Sequence, residues 1–166
     1  MKRLLLLFVT FAMSFVPLFS AFAGVSSEYG QYRNQRFDFS IPYPKTILFP
    51  QGESDNGDGQ VFLSRDSTIR LIAYGGFASE QSIRERYADA LSEARIRSDS
   101  TVITYKPQKK NWFVISGIDN ESGIIFYQKE FLVNGVFKRF IITYPESKKK
   151  SLDKIITKIS RGFLPR

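Results

Sequence analysis

Asn134-Gly135 stands between two apolar-rich runs, GIIFYQKEFLV and VFKRFIITY. A two-residue hairpin turn of type I′ needs positive φ at both central positions, which Asn and Gly tolerate, so this dipeptide marks a hairpin and sets its register. Val133 then faces Val136, Phe131 faces Lys138, Glu130 faces Arg139, Lys129 faces Phe140, Tyr127 faces Ile142 and Ile125 faces Tyr144. Strand side chains alternate between the two surfaces of a sheet. One surface therefore collects Ile125, Tyr127, Phe131, Val133, Val136, Phe140, Ile142 and Tyr144. The other holds Gln128 and a cross-strand Glu130–Arg139 pair among Phe126, Leu132, Phe137 and Ile141. The first is a core face, and the second is apolar enough for both sides of the sheet to be covered.

Upstream, Pro107 to Asn111 and Asp119-Asn120-Glu121-Ser122-Gly123 have turn composition and bound two further strands, Thr101 to Lys106 and Trp112 to Gly117. Parallel crossovers need about a dozen residues or more, so these short links make an antiparallel meander of the stretch from Thr101 to Tyr144. A second hairpin is expected where Gln60 to Arg65 and Ile69 to Tyr74 flank Asp66-Ser67-Thr68, with Gly75-Gly76 ending it. Arg36 to Ile41 alternates polar and apolar, placing Phe37, Phe39 and Ile41 on one strand face; Pro42 and Pro44, with no N–H to donate, are expected to stop it. Thr46 to Phe49 is a short second strand or an extended bridge.

Two segments carry the helical period. In Ser79 to Ile96, Ile83, Tyr87, Ala90, Leu91 and Ala94 form one apolar stripe, and Ser82 with Glu85 has the form of a capping box. The face bearing Arg84, Glu85, Arg86, Asp89, Glu93 and Arg95 is expected in water. In Ser147 to Arg161, Leu152, Ile155, Ile156, Ile159 and Phe163 form a second stripe; Gly162 is placed to end this helix and Pro165 to prevent its resumption. The fold class is α+β: an antiparallel sheet with helices packed on it.

Residues 1–23 have the parts of a secretory signal peptide: Lys2 and Arg3, an apolar body, and Ala21-Phe22-Ala23 as the cleavage signal, cut after Ala23. An uncleaved anchor is the competing reading, since Leu4 to Phe22 approaches a membrane-spanning length. Either way the domain lies outside the cytoplasm, periplasmic or secreted. Residues 24–34 are polar and read as a flexible arm. Residues 35–166 read as a single domain; 43% hydrophobic and 15% aromatic content is that of a folded core.

The chain has no Cys and no His, which excludes thiolate nucleophiles, Ser-His and Cys-His pairs, imidazole metal sites and disulfides within it. Acid–base chemistry would fall to carboxylates, lysines or tyrosines. Glu53, Asp55 and Asp58 lie in the Gly-rich loop QGESDNGDG, where a hard cation could find oxygen ligands, although the spacing departs from that of a calcium loop. The same three, or Glu130, are the candidates for a carboxylate-dependent hydrolase, which needs two carboxylates converging in a cleft. The formal charge is +8, and +6 once Lys2 and Arg3 leave with the leader. The C-terminal helix carries Lys150, Lys154, Lys158 and Arg161 in a stripe beside Lys148 and Lys149, a candidate surface for anions or a partner.

Several phrases resemble an uncharacterised family of exported bacterial proteins: Tyr32-Arg33-Asn34 with Arg36-Phe37, Gly57-Asp58-Gly59 before Val61-Phe62, Thr101 to Lys106 before Asn111-Trp112-Phe113-Val114, and Ile125-Phe126-Tyr127-Gln128-Lys129. With the order of elements, they resemble the Mog/PsbP-like (DcrB-like) α/β/α sandwich. That resemblance implies an assembly or accessory factor, like the photosystem-associated PsbP proteins and envelope proteins of the DcrB type, with no shared catalytic site to carry over. The expectation is a monomeric, non-enzymatic accessory or binding domain without a cofactor, whose partner is a protein or another envelope component. An anionic membrane surface or polyanion is the alternative; nucleic acid is not the expected partner.

Overall fold

The computed structural model describes residues 28–96 and 98–165; the expected signal peptide, 1–23, and the first residues of the expected arm, 24–27, lie outside them. In chain order the elements are β1 (Tyr29–Asn34), β2 (Phe39–Pro44), β3 (Phe49–Glu53), β4 (Gly59–Leu63), β5 (Arg70–Phe77), α1 (Ile83–Ile96), β6 (Thr101–Tyr105), β7 (Trp112–Asp119), β8 (Ile124–Val133), β9 (Val136–Pro145), a 3-10 turn (Glu146–Lys148), α2 (Lys149–Gly162) and β10 (Leu164–Pro165).

Seven strands form one sheet in the order β3-β4-β5-β9-β8-β7-β6, every pair antiparallel. The β8–β9 register is the one its turn dictates, from Val133 opposite Val136 to Ile125 opposite Tyr144, and Asn134 and Gly135 have φ of 52° and 72°. The β4–β5 hairpin joins this meander because β5 pairs along β9. A second, three-stranded sheet has the order β1-β2-β10.

Both faces of the large sheet are covered. On one, Ile125, Phe140, Ile142 and Tyr144 meet Leu71, Ala73 and Phe62 of the hairpin, Phe39 and Ile41 of β2, and Leu152, Ile156, Ile159 and Phe163 at the C-terminus. On the other, Phe113, Ile115 and Phe126 pack against Ala90 and Ala94 of α1. The layers are α1, the large sheet, then α2 beside the small sheet, an α+β sandwich.

Four expectations need correction. Residues 29–34 are not a flexible arm: they form β1, paired with β2 from Tyr29–Pro44 to Asn34–Phe39, with Tyr32 and Asn34 buried. Pro42 and Pro44 do not stop β2, because β10 pairs only with Phe39 and Ser40 and leaves the rest of that side an edge where no N–H is required. Gly75-Gly76 does not end β5, which runs on to Phe77 opposite Val136. The bare backbone is needed because the Phe37 and Phe137 rings occupy the space: an added Cβ would come within 2.5 Å of Phe37 at Gly75 and 2.7 Å of Phe137 at Gly76. Lastly, α1 starts at Ile83, after Ser79 and Glu80 with φ of 44° and 67°. The Ser82–Glu85 box closes it, with the Ser82 amide donating to Glu85 Oε2 at 2.7 Å.

Candidate functional site

The apolar stripe of α2 fixes which way its cations point. Leu152, Ile156, Ile159 and Phe163 are buried against the sheet, so residues half a turn away must face water. Past the helix, Phe163 turns extended (φ −76°, ψ 106°) while its amide still donates to the Ile159 carbonyl at 2.9 Å. Its ring lies 5.1 Å from that of Phe140 and 5.5 Å from that of Phe131, centroid to centroid. Gly162 does not end the helix by adopting positive φ; it lets the helix approach the small sheet, since a Cβ there would lie 2.5 Å from Pro42 Cγ.

An open groove of about 410 Å³ would be one place to look for a ligand, between α2 and the β6–β7 end of the sheet, with Tyr105, Tyr127 and Tyr144 among its walls. Its hydroxyls are largely engaged: Tyr127 with Ser160 Oγ at 2.8 Å, Ser116 with the Phe126 carbonyl at 2.7 Å and Thr157 with the Asp153 carbonyl at 2.8 Å. A second groove, of about 660 Å³, runs between α2 and β1–β2, and Lys154, Lys158, Arg161, Gln31 and Leu164 line it. Here Lys154 and Arg161 have no acidic partner among the described residues, and Lys158 lies over the Tyr29 ring.

The six C-terminal cations separate into two groups. Lys148 Nζ donates to Asp66 Oδ2 at 2.6 Å and to Thr68 at 2.7 Å, tying the 3-10 turn to the β4–β5 turn. That ammonium, with the Ser64 and Thr68 hydroxyls, holds the Asp66 carboxyl well below the usual carboxylate range. Lys149 pairs with Asp153 one turn on, at 2.9 Å. Lys150, Lys154 and Arg161, by contrast, have no acidic partner among the described residues, and Lys158 Nζ sits 3.7 Å from the centre of the Tyr29 ring. Spaced four, four and three apart, these four form one exposed stripe.

The structure brings two of the four candidate carboxylates to one groove. Glu53 and Asp58 both line an open groove of about 430 Å³ beside β3–β5, but Asp55 does not and Glu130 is elsewhere, buried under α1. Glu53 accepts hydrogen bonds from the Tyr32 hydroxyl and from Asn34 Nδ2, the latter at 3.1 Å. Asp58 pairs with Arg36 at 2.9 Å. Among the described residues no group of three acids is placed to hold a metal ion.

Sequence reasoning placed Arg86 in water, whereas it is 8% exposed and joins Glu130 and Arg139. The signal was present: position 86 lies three after Ile83 and four before Ala90, on the buried stripe. Glu130, with no exposed surface, receives Arg86 Nε on one oxygen and Arg139 Nε on the other. The Arg86 guanidinium also lies 3.9 Å from the Phe137 ring centre, and Arg139 reaches the Tyr74 hydroxyl at 3.1 Å. On the opposite face Lys129 Nζ, its pKa lowered by burial, donates to the Ser160 carbonyl at 2.7 Å, in the last turn of α2.

No family model matches this chain, and no curated protein matches it. Among solved structures, the solution structure of cyanobacterial PsbP (CyanoP) from Synechocystis sp. PCC 6803 is similar to it with a TM-score of 0.65, covering 91% of this chain and 100% of that one at 10% sequence identity. At that identity the likeness is one of fold, and the fold of this chain is PsbP-like.

Proposed function

We propose that this protein is an exported, non-catalytic accessory domain, of the DcrB-like kind found in bacterial envelopes, that works by docking through the exposed face of α2. One observation carries the reading: Lys150, Lys154, Lys158 and Arg161 stand in register on a rigid helix with no acid of the described chain to neutralise them, whereas the neighbouring Lys148 and Lys149 are paired. Charges left open on one face favour encounter with an anionic partner. A non-catalytic role is supported by the way the candidate carboxylates are occupied: Glu53 by Tyr32 and Asn34, Asp58 by Arg36, Glu130 by two arginines. The PsbP-like fold is compatible with it and adds no site.

A photo-crosslinking side chain at position 154 or 158, activated in intact cells, tests this. Discrete adducts are expected from those positions and none from position 121, on the exposed β7–β8 turn. Equal labelling at all three would remove α2 as the contact face.

A further inference from the structure

The geometry points to an anionic lipid surface as the partner of α2, an inference that rests on the docking role proposed above and gives that face its ligand. The cations from Lys150 to Arg161 extend along roughly 16 Å of helix at 1.5 Å per residue. A single phosphate or carboxylate is held by donors converging on one point. Charges spread along a line, three of them (Lys154, Lys158 and Arg161) on the wall of an open groove of about 660 Å³, match a row of head groups instead. At the foot of the stripe Leu164 is 52% exposed and lines the same groove. An apolar side chain among cations is out of place against a free polyanion, but at a lipid interface it can enter the acyl boundary while the cations remain with the head groups.

A nucleic acid is less well matched. Binding of single strands combines charge with open aromatic faces on which bases stack. The residues lining this groove include no aromatic, and the nearby Tyr29 ring is covered by Lys158. Because the apolar side of α2 is committed to the core, the helix meets the membrane by its charged face, without burying itself in the bilayer. Contact is then electrostatic and falls steeply with salt.

The test is co-sedimentation of the protein recovered from exporting cells with vesicles of phosphatidylcholine alone, and of phosphatidylcholine and phosphatidylglycerol in equal parts. Binding is expected to the mixed vesicles only, and to be lost in high salt. Each cation near an anionic surface contributes about a fivefold gain in partition, so the combined variant Lys154→Gln, Lys158→Gln, Arg161→Gln should bind about a hundredfold more weakly. Lys106→Gln with Lys109→Gln and Lys110→Gln, the loss of three exposed cations just before β7, should bind as the parent. Leu164→Ser should weaken binding without altering its salt dependence, and Lys154→Gln alone supplies a milder change if the combined variant melts early.

Failure of the parent to sediment with the mixed vesicles, or equal binding by the combined variant, overturns the lipid assignment. So does an oligonucleotide that binds the same face in preference to the vesicles. If crosslinking from positions 154 and 158 still captures a protein, the docking role survives that failure; if it captures nothing, both readings fall together.

Discussion

Glu130 is a carboxylate with no exposed surface, held between guanidinium groups that come from different elements, Arg86 of α1 and Arg139 of β9. Removing such a charge from water is compensated only when its hydrogen bonds are complete. Here both oxygens are engaged, and the arginines have further contacts in Gln81 at 3.1 Å, Tyr74 at 3.1 Å and the Phe137 ring. Glu130→Gln leaves Arg86 without an acidic partner among the described residues and Arg139 with only the exposed Glu93 carboxylate at 3.8 Å, a change expected to cost about 3–5 kcal/mol, measured by chemical denaturation. Replacing all three together with Arg86→Met, Glu130→Leu and Arg139→Met should destabilise far less than the single change, because no buried charge is then left alone. A single variant as stable as the parent would mean that water reaches the cluster. The Glu130–Arg139 half was readable from the hairpin register; Arg86 required the phase of α1 to be weighed above the charge of the side chain.

At the scale of elements, what could be read from sequence was what local chemistry decides. The Asn134-Gly135 turn set the β8–β9 register residue by residue, and the 3.6 period found both helices and the cationic stripe. What escaped depended on partners far along the chain. Tyr29–Asn34 is polar and becomes a strand only because β2 pairs with it, and the Lys148 ammonium is neutralised by Asp66 from the β4–β5 turn. The Lys149–Asp153 pair, one turn apart, was legible but hidden by the run of lysines. Gly162 shows how local preference and packing compete. Ala is favoured over Gly inside a helix by about 1 kcal/mol, yet a Cβ here would lie 2.5 Å from Pro42 Cγ. Overpacking of this kind costs about 1–3 kcal/mol, so Gly162→Ala is expected to lower the thermal midpoint, with packing the larger effect. Lys150→Ala, on the open face of the same helix, should leave it nearly unchanged. A rise in the midpoint for Gly162→Ala would show that α2 can shift away from the small sheet at little cost.

At the scale of the whole molecule, tyrosine hydroxyls link the layers: Tyr32 of β1 donates to Glu53 of β3, and Tyr127 of β8 meets Ser160 of α2. Burial, with the Asp153 charge adding to it, pushes the Tyr144 phenol from 10.0 up to about 12. Burial also raises Tyr127 against the opposing Ser160 hydrogen bond, and raises Tyr32 together with its bond to Glu53. For groups whose folded pKa is raised, the folded chain holds protons that the unfolded chain releases first. Their stabilisation is therefore complete below about pH 10, the ordinary tyrosine value, and is lost as pH rises through the folded values. Lys129 and Lys138 act the other way, since burial lowers both and favours the fold as they deprotonate below 10.5. The tyrosine contribution should dominate, because the Tyr32 and Tyr144 shifts are large. Stability is thus expected to hold from neutral pH to about 10 and then fall, with tyrosinate absorbance rising together with loss of the far-ultraviolet dichroism. Tyr144→Phe should flatten that fall while preserving most of the core packing. Tyrosinate signal that develops fully while the dichroism stays intact would mean that these phenols titrate within the fold, and the linkage between their protons and the assembled core would be lost.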